Sequence, residues 1–258
     1  MTSIVKRLYQ RIPLSVRDRL RMIKRPAWSA VGIALAASSG SRTITGPFAG
    51  MRLPLRPHRP TILGTNELEL HAWIEQLIAE DFRRIVNIGG GFGYYAVGFA
   101  LRCPRARIIV FEMHDRSRRV LEHCIAMNGA GAQIDVREEG SHATLRDALA
   151  GPERSMVFLD IEGGERDLLD PQRVPELVSA TIIVETHDVL VPDCESTIRA
   201  RFASTHRIQA VATRQRTMAD LPTGVLPFVR HLFPVATLES LQEFRGGPQT
   251  WLLLEPLA

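Results

Sequence analysis

The stretch RIVNIGGGFGYYAVGFALR, residues 84–102, decides the fold. It begins with a short β-branched run, passes through a cluster of glycines, and continues with apolar residues at helical spacing. A strand that enters a helix through glycines is typical of the first turn of an open α/β sheet, where the backbone must turn tightly. The stretch therefore predicts a buried strand at 84–89 and a helix at 93–102.

Further strand-like runs follow along the chain, and helical segments fit between the first six strands. Strands that alternate with helices of about 10–15 residues predict βαβ units and a parallel sheet. We therefore expect an α/β protein with a Rossmann-like, doubly wound, seven-stranded sheet that is mostly parallel. The predicted strands are 84–89, 107–112, 132–138, 155–160, 180–185, 207–212 and 250–255.

Charge is distributed unevenly along the chain. Residues 1–60 carry 12 basic residues and one acid, a net +11, whereas residues 61–258 carry 20 arginines and 27 acids, a net −7. We predict a basic N-terminal arm over 1–60 and a main domain over 61–258 that contains an insert at 214–249. Because the main domain is acidic, we expect no nucleic-acid partner. The arm has three open interpretations: peripheral contact with an anionic membrane, docking on the main domain, or a solvated tail.

The cysteine count and the hydropathy exclude several classes of protein. Cys103, Cys124 and Cys194 are too few and too scattered for a disulfide framework or a cysteine metal site. No apolar run reaches the ~18–20 residues of a membrane span. We therefore expect a cytoplasmic protein, with membrane contact through the arm as the alternative, and the oligomeric state stays open.

Two features in register predict a cofactor that contains adenosine. In an open α/β sheet, ligands bind beyond the carboxyl ends of the strands. Gly89, Gly91 and Gly93 follow the first strand and allow close backbone approach, and Glu112 ends the second strand, where an acid accepts hydrogen bonds from ribose hydroxyls. NAD stays open as the cofactor, because GFGYYA (91–96) fits the GxGxxA fingerprint.

Three motifs then narrow the choice. VNIGGGFG (86–93) resembles motif I of class I S-adenosylmethionine-dependent methyltransferases. FLDIEGGERDLLDP (158–171) and IIVETHD (182–188) resemble FkbM-type methyltransferases, in which a DxEGxE motif follows strand four and a Glu-containing element closes strand five. The resemblance covers about residues 62–213. It implies S-adenosylmethionine as cofactor and an antiparallel last strand beside strand five; Asn87 stands where the family usually has an acid.

The resemblance also implies roles for individual residues. The three glycines would hold the amino-acid part of the cofactor, and Glu112 would hold the ribose. Met113 would lie against the adenine, and Glu139 would meet the adenine edge. Asn87 and Asp160 complete the predicted set of cofactor-binding residues.

Five ionisable side chains are predicted to meet at one edge of the sheet. Asp160 and Glu162 follow the fourth strand, and Glu185, His187 and Asp188 close the fifth. A methyl acceptor with a hydroxyl must lose its proton, and a histidine flanked by carboxylates is a suitable proton acceptor. We predict His187, Asp160 and Glu185 as catalytic. A backbone-bonded His187 and an Asp160 that caps a helix are the structural alternatives.

The same five side chains supply a metal hypothesis. Hard oxygen donors with one imidazole suit Mg²⁺ or Mn²⁺ better than Zn²⁺. We expect a methyltransferase that acts on a hydroxyl of a small molecule or glycan, with the insert 214–249 and the segment before Thr65 covering the substrate. The alternatives are an NAD-dependent oxidoreductase with a parallel sheet in the order 3-2-1-4-5-6, or a non-catalytic binding protein on the same fold.

Overall fold

The structure, a computed structural model, describes residues 26–54, 57–225, 227–245, 247 and 249–257. The first 25 residues, which carry much of the charge of the predicted arm, lie outside this part. The chain divides into two units. The first unit comprises Met1–Asn66 with Gln215–Gly246, and the second comprises Glu67–Arg214 with Gly247–Ala258.

The second unit contains a seven-stranded sheet, with a strand at every predicted position. The strands are β1 Arg84–Ile88, β2 Arg107–Phe111, β3 Ile134–Arg137, β4 Ser155–Leu159, β5 Thr181–Thr186, β6 His206–Ala212 and β7 Thr250–Pro256. Their order is β3-β2-β1-β4-β5-β7-β6. Strands β1 to β5 pair in parallel, and β7 lies antiparallel between β5 and β6. This confirms the predicted fold class and differs from the parallel 3-2-1-4-5-6 sheet of the oxidoreductase alternative.

Burial explains why the central strands read as apolar runs. Every residue of β1, β4 and β5 is buried, as expected of parallel strands that are covered on both faces. Alternate residues point to opposite faces, so Val86 and Val157 pack in one core while Asn87 and Phe158 belong to the other face. The first core also includes helix residues, among them Leu145, Leu149, Ile198 and Phe202.

Short helices connect the strands of this unit. The α-helices are His71–Ala79, Tyr94–Arg102, Asp115–Asn128, His142–Leu149, Glu165–Leu168 and Cys194–Phe202, with 3₁₀ turns at Leu68–Leu70 and Pro175–Ser179. The helix predicted at 93–102 is confirmed to within one residue. Crossover helices are needed here because parallel strands cannot be joined by a tight hairpin.

The first unit joins the described part of the predicted arm to the insert. Arg59 links the two segments: its guanidinium lies 3.2 Å from the ring centre of Trp28 and donates to the carbonyl of Trp28 and to Ser240 Oγ, both at 2.7 Å. Within this unit Arg216 is buried and pairs with Glu243 at 2.5 Å. The helices are Pro26–Ser39, Arg59–Leu63, Val229–Leu232 and Pro234–Leu241, with a 3₁₀ turn at Met218–Asp220.

The insert groups with the N-terminal segment in the first unit. The insert appears as Gln215–Gly246 where we predicted 214–249, and the N-terminal part extends to Asn66 where we predicted residue 60. Its role as a substrate cover stays a prediction. Across the described ranges, none of the helices has the length and apolar character that a bilayer crossing requires.

A pair of leucine substitutions tests the core of the second unit. Leu145 is fully buried in the core and Leu101 is 45% exposed, and both lie on helices of the same unit. We expect Leu145→Ala to lower the free energy of unfolding by about 2–5 kcal/mol, because it leaves a cavity. The control Leu101→Ala should cost less than about 1 kcal/mol. Urea unfolding followed by circular dichroism measures both, and equal losses would contradict the assigned core.

Candidate active site

The glycine loop after β1 lets three strand ends approach one another. The amides of Gly89 and Gly90 donate to the carbonyl of Phe111, at the end of β2, at 3.0 and 2.9 Å. Gly89 has a φ of 86°, and a Cβ there would lie 1.8 Å from the carbonyl oxygen of Asp160. Only glycine fits this position, because any side chain would displace the residue that follows β4.

A cavity of about 740 Å³ opens beyond the carboxyl ends of β1 to β4. All of the residues that line it belong to the second unit. This is the edge at which open α/β sheets bind their ligands. The predicted cofactor-binding residues on its wall are Gly89, Gly91, Glu112, Met113, Glu139 and Asp160.

Glu112 connects the end of β2 to the glycine loop. One carboxylate oxygen accepts from the amide of Gly91 and the other from the amide of His114, both at 2.8 Å. The side chain is largely buried, yet it contributes to the cavity wall. A carboxylate has about four lone-pair positions, so two backbone bonds leave it able to accept from further hydroxyl groups.

Two predicted cofactor residues are not on the cavity wall. Gly93 precedes the helix Tyr94–Arg102 with a φ of 96°, and a Cβ there would lie 2.7 Å from Leu121 Cδ1. The structure therefore gives Gly93 a role in helix packing. Asn87 is buried within β1, where its amide nitrogen donates to the carbonyl of Phe158 at 3.3 Å and its Oδ1 has no hydrogen-bond partner.

Three of the five predicted edge residues come together. His187 Nε2 lies 3.6 Å from Asp160 Oδ1 and 3.5 Å from Glu185 Oε2. His187 and Glu185 are buried, and Asp160 also lines the cavity. The cluster therefore reaches the cavity through Asp160. The three residues meet because they lie at the carboxyl ends of the neighbouring parallel strands β4 and β5.

Glu165 is the residue that sequence reasoning missed. We assigned it no role from the sequence, but its side chain is fully buried, with 0% exposure. Its carboxylate accepts from the amides of Ile161 and Gly163 at 3.1 and 2.9 Å and pairs with His187 Nδ1 at 2.8 Å. The signal was the last acid of the D-x-E-G-x-E pattern, which stands three residues after Glu162.

Burial and the ion pair act in opposite directions on both partners. Burial lowers the pKa of His187, but the hydrogen bond and charge of Glu165, then the charges of Asp160 and Glu162, raise it above its ordinary value. Burial raises the pKa of Glu165, but His187 and the surrounding amides bring it below its ordinary value. Each partner therefore favours the charged form of the other.

The remaining two edge residues lie elsewhere. Asp188 accepts from the amide of Glu195 at 3.2 Å, so it serves the start of the helix Cys194–Phe202. Glu162 lines the cavity with a φ of 54°. Among the described residues, the metal-competent group is Asp160, Glu185 and His187, whose donor atoms lie within 4.8 Å of one another. The predicted five-residue set is thus reduced to three.

Aromatic rings form the buried face beside this cluster. Tyr95 stacks on Phe158 with ring centres 4.0 Å apart, and Phe158 lies 5.4 Å from Trp251. Tyr95 donates its hydroxyl to Glu67. Trp251 pairs in register with Glu185 across β7 and β5. Phe158 and Trp251 are buried, so the face of the sheet beside Glu185 is apolar.

Comparison with known proteins identifies the fold. No family model and no curated protein matches this chain. A protein from Klebsiella pneumoniae, provisionally described as an O-methyltransferase, shares 14% identity over 95% of this chain and 97% of its own, with a TM-score of 0.50. The O-methyltransferase TomG from Streptomyces achromogenes is involved in tomaymycin synthesis and was solved with S-adenosylmethionine. It shares 16% sequence identity over 70% of this chain and 77% of its own, with a TM-score of 0.44.

A third solved structure has a similar extent of likeness. The C-terminal domain of precorrin-6Y C5,15-methyltransferase from Rhodobacter capsulatus shares 16% identity over 68% of this chain and 81% of its own, with a TM-score of 0.46. At these identities the similarity concerns the fold alone. The sheet order and the Klebsiella structure together show that the chain has the class I methyltransferase fold.

The Glu165–His187 pair makes a pH prediction. The charged form of His187 contributes to stability fully below about pH 6.5, and this contribution is lost as the pH rises through its raised pKa. The charged form of Glu165 contributes fully above about pH 4.3, and this contribution is lost as the pH falls through its lowered pKa. Glu165→Gln should lower the pKa of His187. Burial lowers this pKa, and in the variant only the charges of Asp160 and Glu162 remain to raise it. Histidine NMR titration measures it, with the resonance assigned by its loss in His187→Gln.

The matched control for this titration is Asp188→Asn. Asp188 is the neighbour of His187 in sequence, but its carboxylate is bound to the amide of Glu195. We expect the pKa of His187 to stay unchanged in this variant. An equal decrease in both variants would show that Glu165 has no special role.

Proposed function

We propose that this protein is an S-adenosylmethionine-dependent methyltransferase that methylates a hydroxyl oxygen of a small molecule or glycan. The observation that carries the proposal is the cavity itself. It has the glycine loop and Glu112 on one side, and on the other Asp160, the partly exposed member of an otherwise buried acid–histidine cluster. A cofactor position and a proton acceptor thus share one cavity on a methyltransferase fold.

The residues on the cofactor side fit the adenosyl group. Glu112 keeps acceptor capacity after its two backbone bonds, and ribose presents two neighbouring hydroxyl donors. A Cβ at Gly91 would meet nothing within 4 Å, so the backbone there is open to close approach by a ligand.

The residues on the acceptor side fit proton removal. When bound, S-adenosylmethionine supplies a methyl group that is activated by a sulfonium. Asp160 lines the cavity and is the group that would accept the hydroxyl proton of the acceptor. His187 and Glu185 lie behind it and would position its carboxylate, with His187 itself held by Glu165.

We further propose that the chain is of the FkbM type. The support is the pattern D-x-E-G-x-E at 160–165, in which Asp160 meets the cavity and Glu165 forms the buried pair with His187. The motif thus supplies one member of the acceptor side and the residue that orients another.

The first test is calorimetry with S-adenosylhomocysteine, with NAD⁺ in parallel. We expect micromolar affinity for S-adenosylhomocysteine and none for NAD⁺. Glu112→Gln should weaken binding by about 10- to 100-fold, because hydrogen bonds to a charged acceptor contribute about 1.5–3 kcal/mol. The control is Glu122→Gln on the exposed face of a neighbouring helix. Absence of S-adenosylhomocysteine binding would overturn the proposal and favour a non-catalytic binding protein.

The second test concerns the proton acceptor. Once an acceptor is found by screening hydroxylated compounds for S-adenosylhomocysteine formation, Asp160→Asn should lower kcat by about 10²- to 10⁴-fold, because an amide cannot accept the proton. Asp167→Asn is the control, since Asp167 also lines the cavity but is exposed. Full activity of Asp160→Asn would refute its role as base.

A further inference from the structure

The first unit exposes three large apolar side chains that are close together in sequence. Phe228 is 80% exposed, Leu232 72% and Val235 70%. The amide of Leu232 donates to the carbonyl of Phe228 at 3.2 Å, so these two residues lie one helical turn apart and on the same side. Val235 follows in the first turn of the helix Pro234–Leu241. Single exposed apolar residues are common, but a group of this size indicates a contact surface, and we refer to these three residues as the apolar surface.

The helix Pro26–Ser39 of the same unit presents a second apolar face to solvent. Ile33 on this helix is 69% exposed, and the helix contains no charged residue. A surface helix usually carries charged residues on the side that faces water, so this helix is unusual. Its exposed residues recur at a spacing of three and four, and include Pro26, Ala30, Ile33 and Ala37.

Charge is separated between the two units. The first unit has 15 basic and four acidic residues, a net +11, and the second has 17 basic and 24 acidic residues, a net −7. Eight of the basic residues stand within residues 1–25, where Asp18 is the one acid of the sequence. This basic segment directly precedes the uncharged helix Pro26–Ser39. Basic residues beside exposed apolar side chains are the combination that binds to an anionic lipid surface.

A second copy of this chain is the other occupant that the apolar surface could accept. In a symmetric pair the same surface meets itself. Such a pair would bring together two units that each carry a net +11, and like charges repel. An anionic bilayer supplies the opposite charge, and its acyl chains receive apolar side chains. The charge balance therefore favours a lipid surface.

We propose that the first unit binds the surface of an anionic lipid membrane. The apolar surface would enter the boundary between headgroups and acyl chains, and the basic residues of 1–25 would meet the lipid phosphates. Arg230 and His231, which are exposed between Phe228 and Leu232, would lie at the level of the headgroups. This inference does not depend on the proposed function, because the residues that line the cavity all belong to the second unit.

Sedimentation of the purified protein with vesicles tests the apolar surface. We expect binding to phosphatidylcholine vesicles that contain about one third phosphatidylglycerol, no binding to pure phosphatidylcholine, and dissociation as the salt concentration rises. Phe228→Ser combined with Leu232→Ser should weaken binding at least about tenfold, because two apolar side chains lose their burial. The control combines Leu101→Ser with Leu257→Ser, two exposed leucines of the second unit, and should keep the original affinity.

The basic segment is tested by Arg17→Gln combined with Arg19→Gln. Removal of these two charges should weaken binding to the anionic vesicles by about tenfold. The matched control is Arg116→Gln combined with Arg119→Gln, which removes two exposed arginines of the second unit. We expect the control to bind as the unaltered protein does. An equal loss in both variants would show that net charge alone determines binding, and would overturn the proposal.

Fluorescence reports whether the apolar surface itself contacts lipid. Phe228→Trp adds a tryptophan at an exposed position. When anionic vesicles are added, its emission should shift to shorter wavelength and be quenched by brominated acyl chains, whereas Leu101→Trp should show neither change. Unchanged emission of Phe228→Trp would overturn the proposal.

The remaining outcomes also decide the proposal. Absence of binding to the anionic vesicles, equal binding to neutral vesicles, or full affinity after the paired substitutions at Phe228 and Leu232 would each overturn it. Sedimentation velocity tests the second copy: self-association that these paired substitutions abolish, without any binding to vesicles, would assign the apolar surface to a dimer. Binding of S-adenosylhomocysteine should be the same in these variants as in the unaltered protein, so this proposal and the proposed function can fail separately.

Discussion

The buried carboxylate of Glu165 fixes the geometry of the candidate active site. It accepts two backbone amides from the loop after β4 and pairs with His187, the residue that follows β5. A buried carboxylate that loses such partners is costly, so the two loops cannot separate without a large loss of stability. The direction of the His187 ring, and with it the spacing of Asp160 and Glu185, follows from this one group.

Asp160 is the point where the two halves of the cavity meet. Its backbone carbonyl lies where a side chain at Gly89 would be, and its carboxylate faces His187. The glycine loop and the acid–histidine cluster therefore share one residue. This proximity is a consequence of pairing β1 with β4, because parallel neighbours place their carboxyl ends at the same edge of the sheet.

Much of the fold and part of the site could be predicted from the sequence, because both depend on local patterns. Each central strand is a continuous apolar run, and the position of Glu112 follows from counting along its strand. Asp160, Glu185 and His187 were predicted together because they end neighbouring strands. Sequence could not separate them from Asp188. The turn after β5 directs the Asp188 carboxylate to the start of the following helix and not to the cluster.

By itself the sequence determined the seven strands and the spacing from the glycine loop to Glu112, because these follow from residue periodicity and strand ends; the antiparallel last strand was expected only from the family resemblance. Only the tertiary structure decided that Glu165 pairs with His187 and that Arg59 joins the N-terminal segment to Ser240, 181 positions away. Such pairings depend on which side chains burial brings together. No local spacing encodes that outcome, because a charged residue tolerates burial only where the folded chain supplies its partner.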